Sequence, residues 1–260
     1  MVRADGCARG DAVELLLRAP DALRRPLVLM QRRAPGTPHE DLWGLPGGAQ
    51  RNGETPVHTV LRETAVVDAG RIRVRGTLHT RSCTTVVADV TEALSVQPEL
   101  AWVTEPEITA LDLDPAFAAC WPALRVTPIQ LVVDAANVVG SRPDGWWRDR
   151  AGAATRLLRS IVTTGPGVLA LPPGGFGWVT CPVVVLEGAA SRAPDIAGIK
   201  VVRAPGSGDD TIVEQAHRAG DCVVVTADRA LRTRLPPHAQ PLSPSAFLSW
   251  LLPHSAGSAG

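Results

Sequence analysis

Residues 41 to 70 read DLWGLPGGAQRNGETPVHTVLRETAVVDAG, a glycine- and proline-rich loop that runs into a helical stretch. The spacing predicts a helix over Thr55 to Asp68. Thr55 can cap the free N–H groups of the first turn, and Pro56 sits at the first helical position, where its missing N–H is no loss. Ala69-Gly70 then ends the helix. On either side, Ala12 to Leu17, Pro26 to Gln31, Arg71 to Thr77 and Thr84 to Val90 have the alternation or β-branched content of strands, with turn residues between them.

Within this stretch Gly48, Glu54, Arg62 and Glu63 stand at the spacings of a glycine, five residues, a glutamate, seven residues and then Arg-Glu, preceded by the lead-in Trp43 to Gly48. This resembles the signature of the Nudix hydrolases. AWVTEPEITALDLDPAF, residues 101 to 117, also looks like the C-terminal part of such domains, so the resemblance covers roughly residues 10 to 125. It implies a Nudix-like α/β/α sandwich with a mixed sheet, whose helix presents carboxylates to Mg²⁺ that holds a diphosphate and activates water. Residues three and four positions beyond Glu63 share its helix face, and acids belong there. Both are valine, Val66 and Val67. Asp68 lies five helical steps on, about 140° around the helix, and is out of reach. Valine offers no oxygen lone pairs, so this reading expects a degenerate Nudix box in which Arg62 and Glu63 brace the loop beneath the helix.

The 260 residues are 45% apolar and 20% charged, a globular composition with room for two domains. Twenty-six basic residues balance 26 acidic ones, which excludes a general polyanion binder or a membrane-surface protein on bulk charge alone. The five cysteines, Cys7, Cys83, Cys120, Cys181 and Cys222, form no CxxC pair and suggest reduced thiols. The N-terminal residues lack an apolar core of signal-peptide length, so the expectation is cytoplasmic. Ser160 to Leu186 carries no charge, but Pro166, Pro172, Pro173, Pro182 and five glycines exclude a membrane helix, and it reads as a loop leading into a buried strand. A boundary falls near residues 125 to 128, giving a first domain over 10 to 125 and a second over 126 to 252. Residues 253 to 260 are expected to be a disordered tail.

In the second part, strands expected at Ile129 to Asp134, Val183 to Glu187, Lys200 to Val202 and Cys222 to Thr226 alternate with helical stretches at Trp147 to Val162, Asp209 to Ala219 and Arg229 to Leu235. That alternation implies a parallel sheet with helices on both faces. Ligands in such sheets sit beyond the C-terminal strand ends. Asp134 ends one strand with Asn137 close behind it, Glu187 ends a second and Asp228 follows a third, while Asp209 and Asp210 open a helix. Each acid can serve simply as a helix or loop cap. Together, however, several carboxylates repel one another unless a cation neutralises them, so a metal site is the economical reading.

VVDAANVVG, the run Trp146-Trp147-Arg148-Asp149-Arg150, GSGDDTIV and VTADRALR occur in this order, and residues 129 to 250 thereby resemble the NYN domain, in particular its YacP-like branch, within the PIN-like nucleases. The resemblance implies a PIN-like parallel-sheet α/β domain holding Mg²⁺ or Mn²⁺ through Asp134, Asp209 or Asp210, and Asp228. Glu187 is an added ligand, and Asn137 positions substrate or water. RNA phosphates would be met by Arg142, Arg148, Arg150 and Arg229, with Trp147 available to stack on a base. The resulting expectation is a metal-dependent endoribonuclease acting on single-stranded RNA, with RNA or a ribosome-associated particle as partner and no membrane. Two alternatives stand beside it: a Nudix-type pyrophosphohydrolase acting on nucleoside diphosphate derivatives, and a non-catalytic RNA-binding factor.

Overall fold

A computed structural model of the chain describes residues 12–64, 71–79, 83–172 and 174–252. Val66, Val67, Asp68, Cys7 and the expected tail lie outside the described residues. The chain divides into two compact units at the Arg125/Val126 junction. Among the described residues no helix is long and apolar enough to cross a membrane.

The first unit is built on a seven-stranded mixed sheet of β1 (Ala12–Pro20), β2 (Pro26–Arg32), β3 (Trp43–Gly44), β4 (Gly47–Ala49), β5 (Arg73–His79), β6 (Thr84–Asp89) and β7 (Leu100–Thr104). β1 runs parallel to β6 along one edge; on the other its start pairs with β4 and its end with β2, both antiparallel. Side chains alternate across a strand, so Val13, Leu15, Leu17 and Ala19 join one core with Leu29, Val86, Ala88 and Val60. Val60 belongs to helix α1 (Pro56–Thr64), whose buried face is Thr59, Val60 and Thr64. A one-turn helix α2 (Glu105–Ile108) precedes α3 (Pro115–Leu124). Asp114 caps α3 by accepting from the N–H groups of Ala116 at 2.9 Å and Phe117 at 3.3 Å, and α3 buries Phe117, Trp121 and Leu124 on one face.

The second unit centres on β8 (Thr127–Asp134), a near-continuous apolar run of the kind that is buried on both faces of a sheet. β8 pairs in parallel with β11 (Val183–Leu186) and β13 (Cys222–Val225), which carry β12 (Lys200–Arg203) and β14 (Ala239–Leu242) outside them. Leu131 and Val133 pack with α5 (Arg150–Thr164) and α8 (Pro244–Leu251) through Leu157, Leu158, Ile161, Phe247 and Trp250. Val132 points the other way, toward Ile212 and Ala216 of α6 (Gly208–Arg218) and Leu231 of α7 (Arg229–Arg234). Short α4 (Ala135–Gly140) follows β8 directly.

Two expectations are corrected here. The sheet is mixed, not all parallel, because the stretch expected to be a loop forms a hairpin of β9 (Gly167–Ala170) and β10 (Phe176–Val179). The helix breakers Pro172, Gly174 and Gly175 fall in its turn, which closes through Leu171 N–H to Gly175 C=O at 3.1 Å. β10 then pairs with the first three residues of β8, and Gly177 permits it: a Cβ there would lie 2.6 Å from Ile129 Cδ1. The tryptophan pair at 146 and 147 forms a separate 3-10 turn, and the helix itself starts at Arg150, where Asp149 caps it by accepting from Gly152 N–H at 2.8 Å.

Candidate functional site

In the first unit α1 lies against β4 and β1 and carries Arg62 and Glu63 at its end. Arg62 grips Glu54 as a fork, Nε to Oε1 at 2.7 Å and Nη2 to Oε2 at 2.8 Å. Thr59 Oγ1 and Arg51 N–H each donate to Glu54 Oε2 at 3.0 Å. These bonds, Arg62's first among them, hold the Glu54 carboxyl down to about 2 and push the Arg62 guanidinium up. Arg62 also donates to the Ala49 carbonyl at 3.0 Å and to Glu63 Oε1, so one guanidinium ties the loop, its glutamate and the helix together. Gly47 is required by close approach, since a Cβ there would lie 2.8 Å from Glu14 Cα, and a Cβ on Gly48 would lie 2.5 Å from Cδ of the Glu63 side chain.

The donor set decides how a divalent ion could be held. Both Glu54 oxygens are engaged by Arg62, and Glu63 Oε1 is bound to the same arginine, which leaves Glu63 Oε2 as the carboxylate oxygen facing the glycine turn. Val66 and Val67 add none. One carboxylate suffices for an ion that arrives coordinated to a substrate's phosphates and does not suffice for a resident one.

In the second unit a cavity of about 490 Å³ opens at the C-terminal ends of the central strands, lined by Asp134, Glu187, Asp209, Asp228, Asn137 and Trp146 among others. The fold thus brings together residues separated by nearly a hundred positions. Asp210 is not among them; its side chain points outward and pairs with Arg234. Three of the four acids in the cavity, Asp134, Glu187 and Asp228, have local work. Asp134 caps α4 through Asn137 N–H at 3.0 Å and accepts from Thr226 Oγ1 at 2.9 Å. Glu187 accepts from Gly208 N–H, and Asp228 caps α7 through Leu231 N–H at 2.9 Å. Asn137 Oδ1 accepts from Ala227 N–H at 2.9 Å, which fixes α4 to the loop after β13. Burial raises the Asp134 pKa, and the charges of Asp209 and Glu187 add to the rise. Among the described residues no three His, Cys, Asp or Glu side chains are grouped to hold a metal ion. Trp147 is 57% exposed, while Trp146 lies beneath the Arg150 guanidinium at 5.3 Å. Arg148 and Arg229 are exposed and Arg142 is half-buried.

Sequence reasoning missed Thr226, the hydroxyl that joins Asp134 to the end of β13, and Gly208, whose Cβ would sit 2.9 Å from Glu187 Oε2. A small residue directly before the Asp209-Asp210 pair was the available signal for the second; nothing in the spacing marked the first.

Residues 8–81 match the family model of the NUDIX domain. The N-terminal unit contains a Nudix domain. The chain is 43% identical over 138 residues to "Putative 8-oxo-dGTP diphosphatase 3" of Mycobacterium tuberculosis, an alignment covering 46% of this chain and 64% of that protein. It therefore spans a little under two thirds of the length of the curated relatives it matches. A solved structure of a Nudix hydrolase from M. smegmatis, RenU, is 36% identical, with 45% of this chain and 84% of that one covered and a TM-score of 0.41. None of these matches carries the NYN or PIN-like resemblance of residues 129 to 250. The family match and the M. tuberculosis relatives overturn the endoribonuclease expectation and favour the Nudix alternative. Of the acids that suggested a nuclease centre, Asp134, Glu187 and Asp228 are engaged in capping helices and tying loops, and Asp210 points outward to Arg234.

Proposed function

We propose that the Nudix domain is a pyrophosphohydrolase acting on nucleoside diphosphate derivatives. The observation that carries this reading is the Glu54–Arg62–Glu63 network seated under the Gly47-Gly48 turn. The diphosphatase name of the M. tuberculosis relatives supports the same reaction class. Arg62 holds Glu63 in place, Glu54 holds Arg62, and the glycines let a diphosphate approach the backbone. Mg²⁺ or Mn²⁺, when bound with the substrate, supplies neutralisation of diphosphate charge. Glu63 Oε2 is the oxygen this chain offers it. Because the chain contributes so few carboxylates, half-maximal activity requires high metal concentration. The test is release of nucleoside monophosphate from a nucleoside diphosphate derivative by the full chain with Mg²⁺ or Mn²⁺. Turnover that Glu63→Gln removes supports the reading, whereas no turnover at saturating metal, or turnover that Glu63→Gln leaves intact, refutes it.

A second reading concerns the second unit: this surface binds single-stranded RNA without cutting it. Arg142, Arg148, Arg150, Arg156 and Arg159 form no ion pair among the described residues, and exposed Trp147 adjoins them. Free guanidiniums meet phosphates and an exposed indole stacks on a base. Binding of a labelled oligoribonucleotide should weaken with salt, and Arg148→Ala should lower the salt slope by about 1. Salt-independent binding, or none, removes this reading.

A further inference from the structure

Glu14 takes no part in the Glu54–Arg62–Glu63 network, yet it stands beside it. In the register of β1 and β4, Val13 lies opposite Gly48 and Glu14 opposite Gly47. Residues opposite each other in an antiparallel pair project to one face, and successive residues project to opposite faces. Val13 belongs to the core shared with α1, and a side chain on Gly48 would meet Glu63. Glu14 therefore occupies the other face, one residue step away. The strand outside it at this point is the glycine backbone of Gly47 and Gly48, and among the described residues β4 pairs with no strand but β1. A substrate whose diphosphate meets Glu63 can pass around this side-chain-free edge and bring its nucleoside end to Glu14.

The Glu14 carboxyl lacks the structural tasks that occupy Asp134, Glu187 and Asp228. It is half-buried, it caps no helix, and its one hydrogen bond comes from the Cys83 thiol to Oε2, 3.8 Å long. A thiol is a weak donor, and a carboxylate buried with so little compensation costs free energy that a ligand's donors would recover. The charged and titratable groups around it are Arg33 just after β2, Asp114 at the start of α3, Cys83 before β6 and Cys120 on α3. Arg33 and Asp114 pair with each other at 3.8 Å. Burial pushes the Glu14 pKa up, Arg33 opposes the rise and Asp114 adds to it.

An ionised carboxylate presents two acceptor oxygens and no donor. Its complement on a base is a pair of adjacent N–H donors, the ring N–H and exocyclic amino group of a guanine-type lactam. Adenine presents a donor beside an acceptor and would set one carboxylate oxygen against a lone pair. We propose that Glu14 is a specificity-determining residue of the hydrolase and selects guanine-type bases through this two-donor edge. The inference rests on the hydrolase reading above.

The experiment is steady-state hydrolysis of guanosine and adenosine 5′-triphosphates by the full chain with Mg²⁺, from mildly alkaline to mildly acidic pH. The parent should favour the guanosine substrate by roughly 10–100-fold in kcat/KM, the discrimination of one good two-bond contact. That preference should shrink as the pH falls, because a protonated Glu14 offers a donor that adenine accepts. Glu14→Gln keeps the volume but fixes one donor and one acceptor. It should bring the two substrates to within a few-fold of each other at every pH, chiefly by raising KM for the guanosine substrate. If that variant does not fold, the base preference of the parent and its pH profile decide. Equal kcat/KM for the two substrates in the parent, a preference that does not change with pH, or one that Glu14→Gln leaves intact overturns the proposal. Each of these leaves the hydrolase reading standing as long as Glu63→Gln removes turnover. No turnover of either substrate at saturating metal overturns both.

Discussion

Arg62 and Glu54 face each other across eight residues of chain and meet through two parallel N–H···O bonds, 2.7 and 2.8 Å long. The pair closes the loop of residues 49 to 54 onto α1, and the third arm of the same guanidinium sets Glu63 against Gly48. On the proposed hydrolase reading, catalysis would therefore depend on a glutamate both of whose oxygens are already engaged.

The depressed Glu54 pKa makes acid stability its first readout. The folded value is about 2 against an ordinary 4.5, so the folded state binds fewer protons in that window. Its contribution is present above pH 4.5 and is lost as the pH falls toward 2. Glu54→Gln should flatten the stability profile between those limits, measured by urea midpoints across pH. An unchanged acid limb in the variant would show that other carboxylates set it.

Restoring the missing carboxylates is the second. Val66→Glu combined with Val67→Glu adds two carboxylates three and four positions beyond Glu63 in the sequence. This should raise turnover on the order of 100-fold and lower the Mg²⁺ requirement. Steady-state kinetics over a metal titration checks this, and kinetics indifferent to the double change would place the metal elsewhere.

Gly48→Ala tests the close approach. A methyl group at 2.5 Å from Glu63 Cδ must displace that side chain. We expect the Glu63 side chain to swing aside and kcat to fall, with little change in stability. Wild-type kcat in this variant would mean that Glu63 need not sit against the turn.

Asp134 yields a prediction of opposite sign to Glu54. Its folded pKa is raised by burial, so the folded state binds more protons than the unfolded one. Its contribution is fully present below pH 3.8 and is lost as the pH rises through the raised value. Asp134→Asn keeps the volume, still accepts from Asn137 N–H through its amide oxygen, and can donate to Thr226 Oγ1. The variant should therefore be at least as stable as the parent at pH 7 by thermal unfolding; a marked loss would show that the charge is compensated in the folded state.

How far the sequence revealed this molecule differs between its units. Four of the seven strands of the first unit, β1, β2, β5 and β6, and helix α1 were legible because alternation, Thr55-Pro56 and the glycine turn all act locally, whereas β3, β4 and β7 were missed; the Nudix spacing made Glu54, Arg62 and Glu63 recognisable. The hairpin at residues 167–179 was not legible, because its prolines read as breakers when they actually mark a turn between two short strands. The gathering of Asp134, Glu187 and Asp228 was legible from strand ends and that of Asp209 from a helix start, though Asp210, expected with it, points outward; their chemistry was not legible. Whether a carboxylate faces an ion or a backbone amide is settled by the neighbouring N–H groups of Asn137, Gly208 and Leu231, which residue types do not encode.

The central position of β8 also has a consequence for synthesis. β8 leads its unit in the chain, yet its neighbours β10, β11 and β13 all follow it, the last ending at Val225. At translation rates of about 5–20 residues per second, the roughly 90 residues between Asp134 and Val225 take on the order of 5–20 s to emerge. Throughout that interval Leu131, Val132 and Val133 form a nascent strand with at least one unpaired edge, the template on which unrelated chains aggregate. The first unit, by contrast, closes its sheet with β7 before β8 is made. Slow or paused translation between Val183 and Cys222 should therefore lower the yield of folded protein, and a chaperone that shields extended apolar segments should restore it.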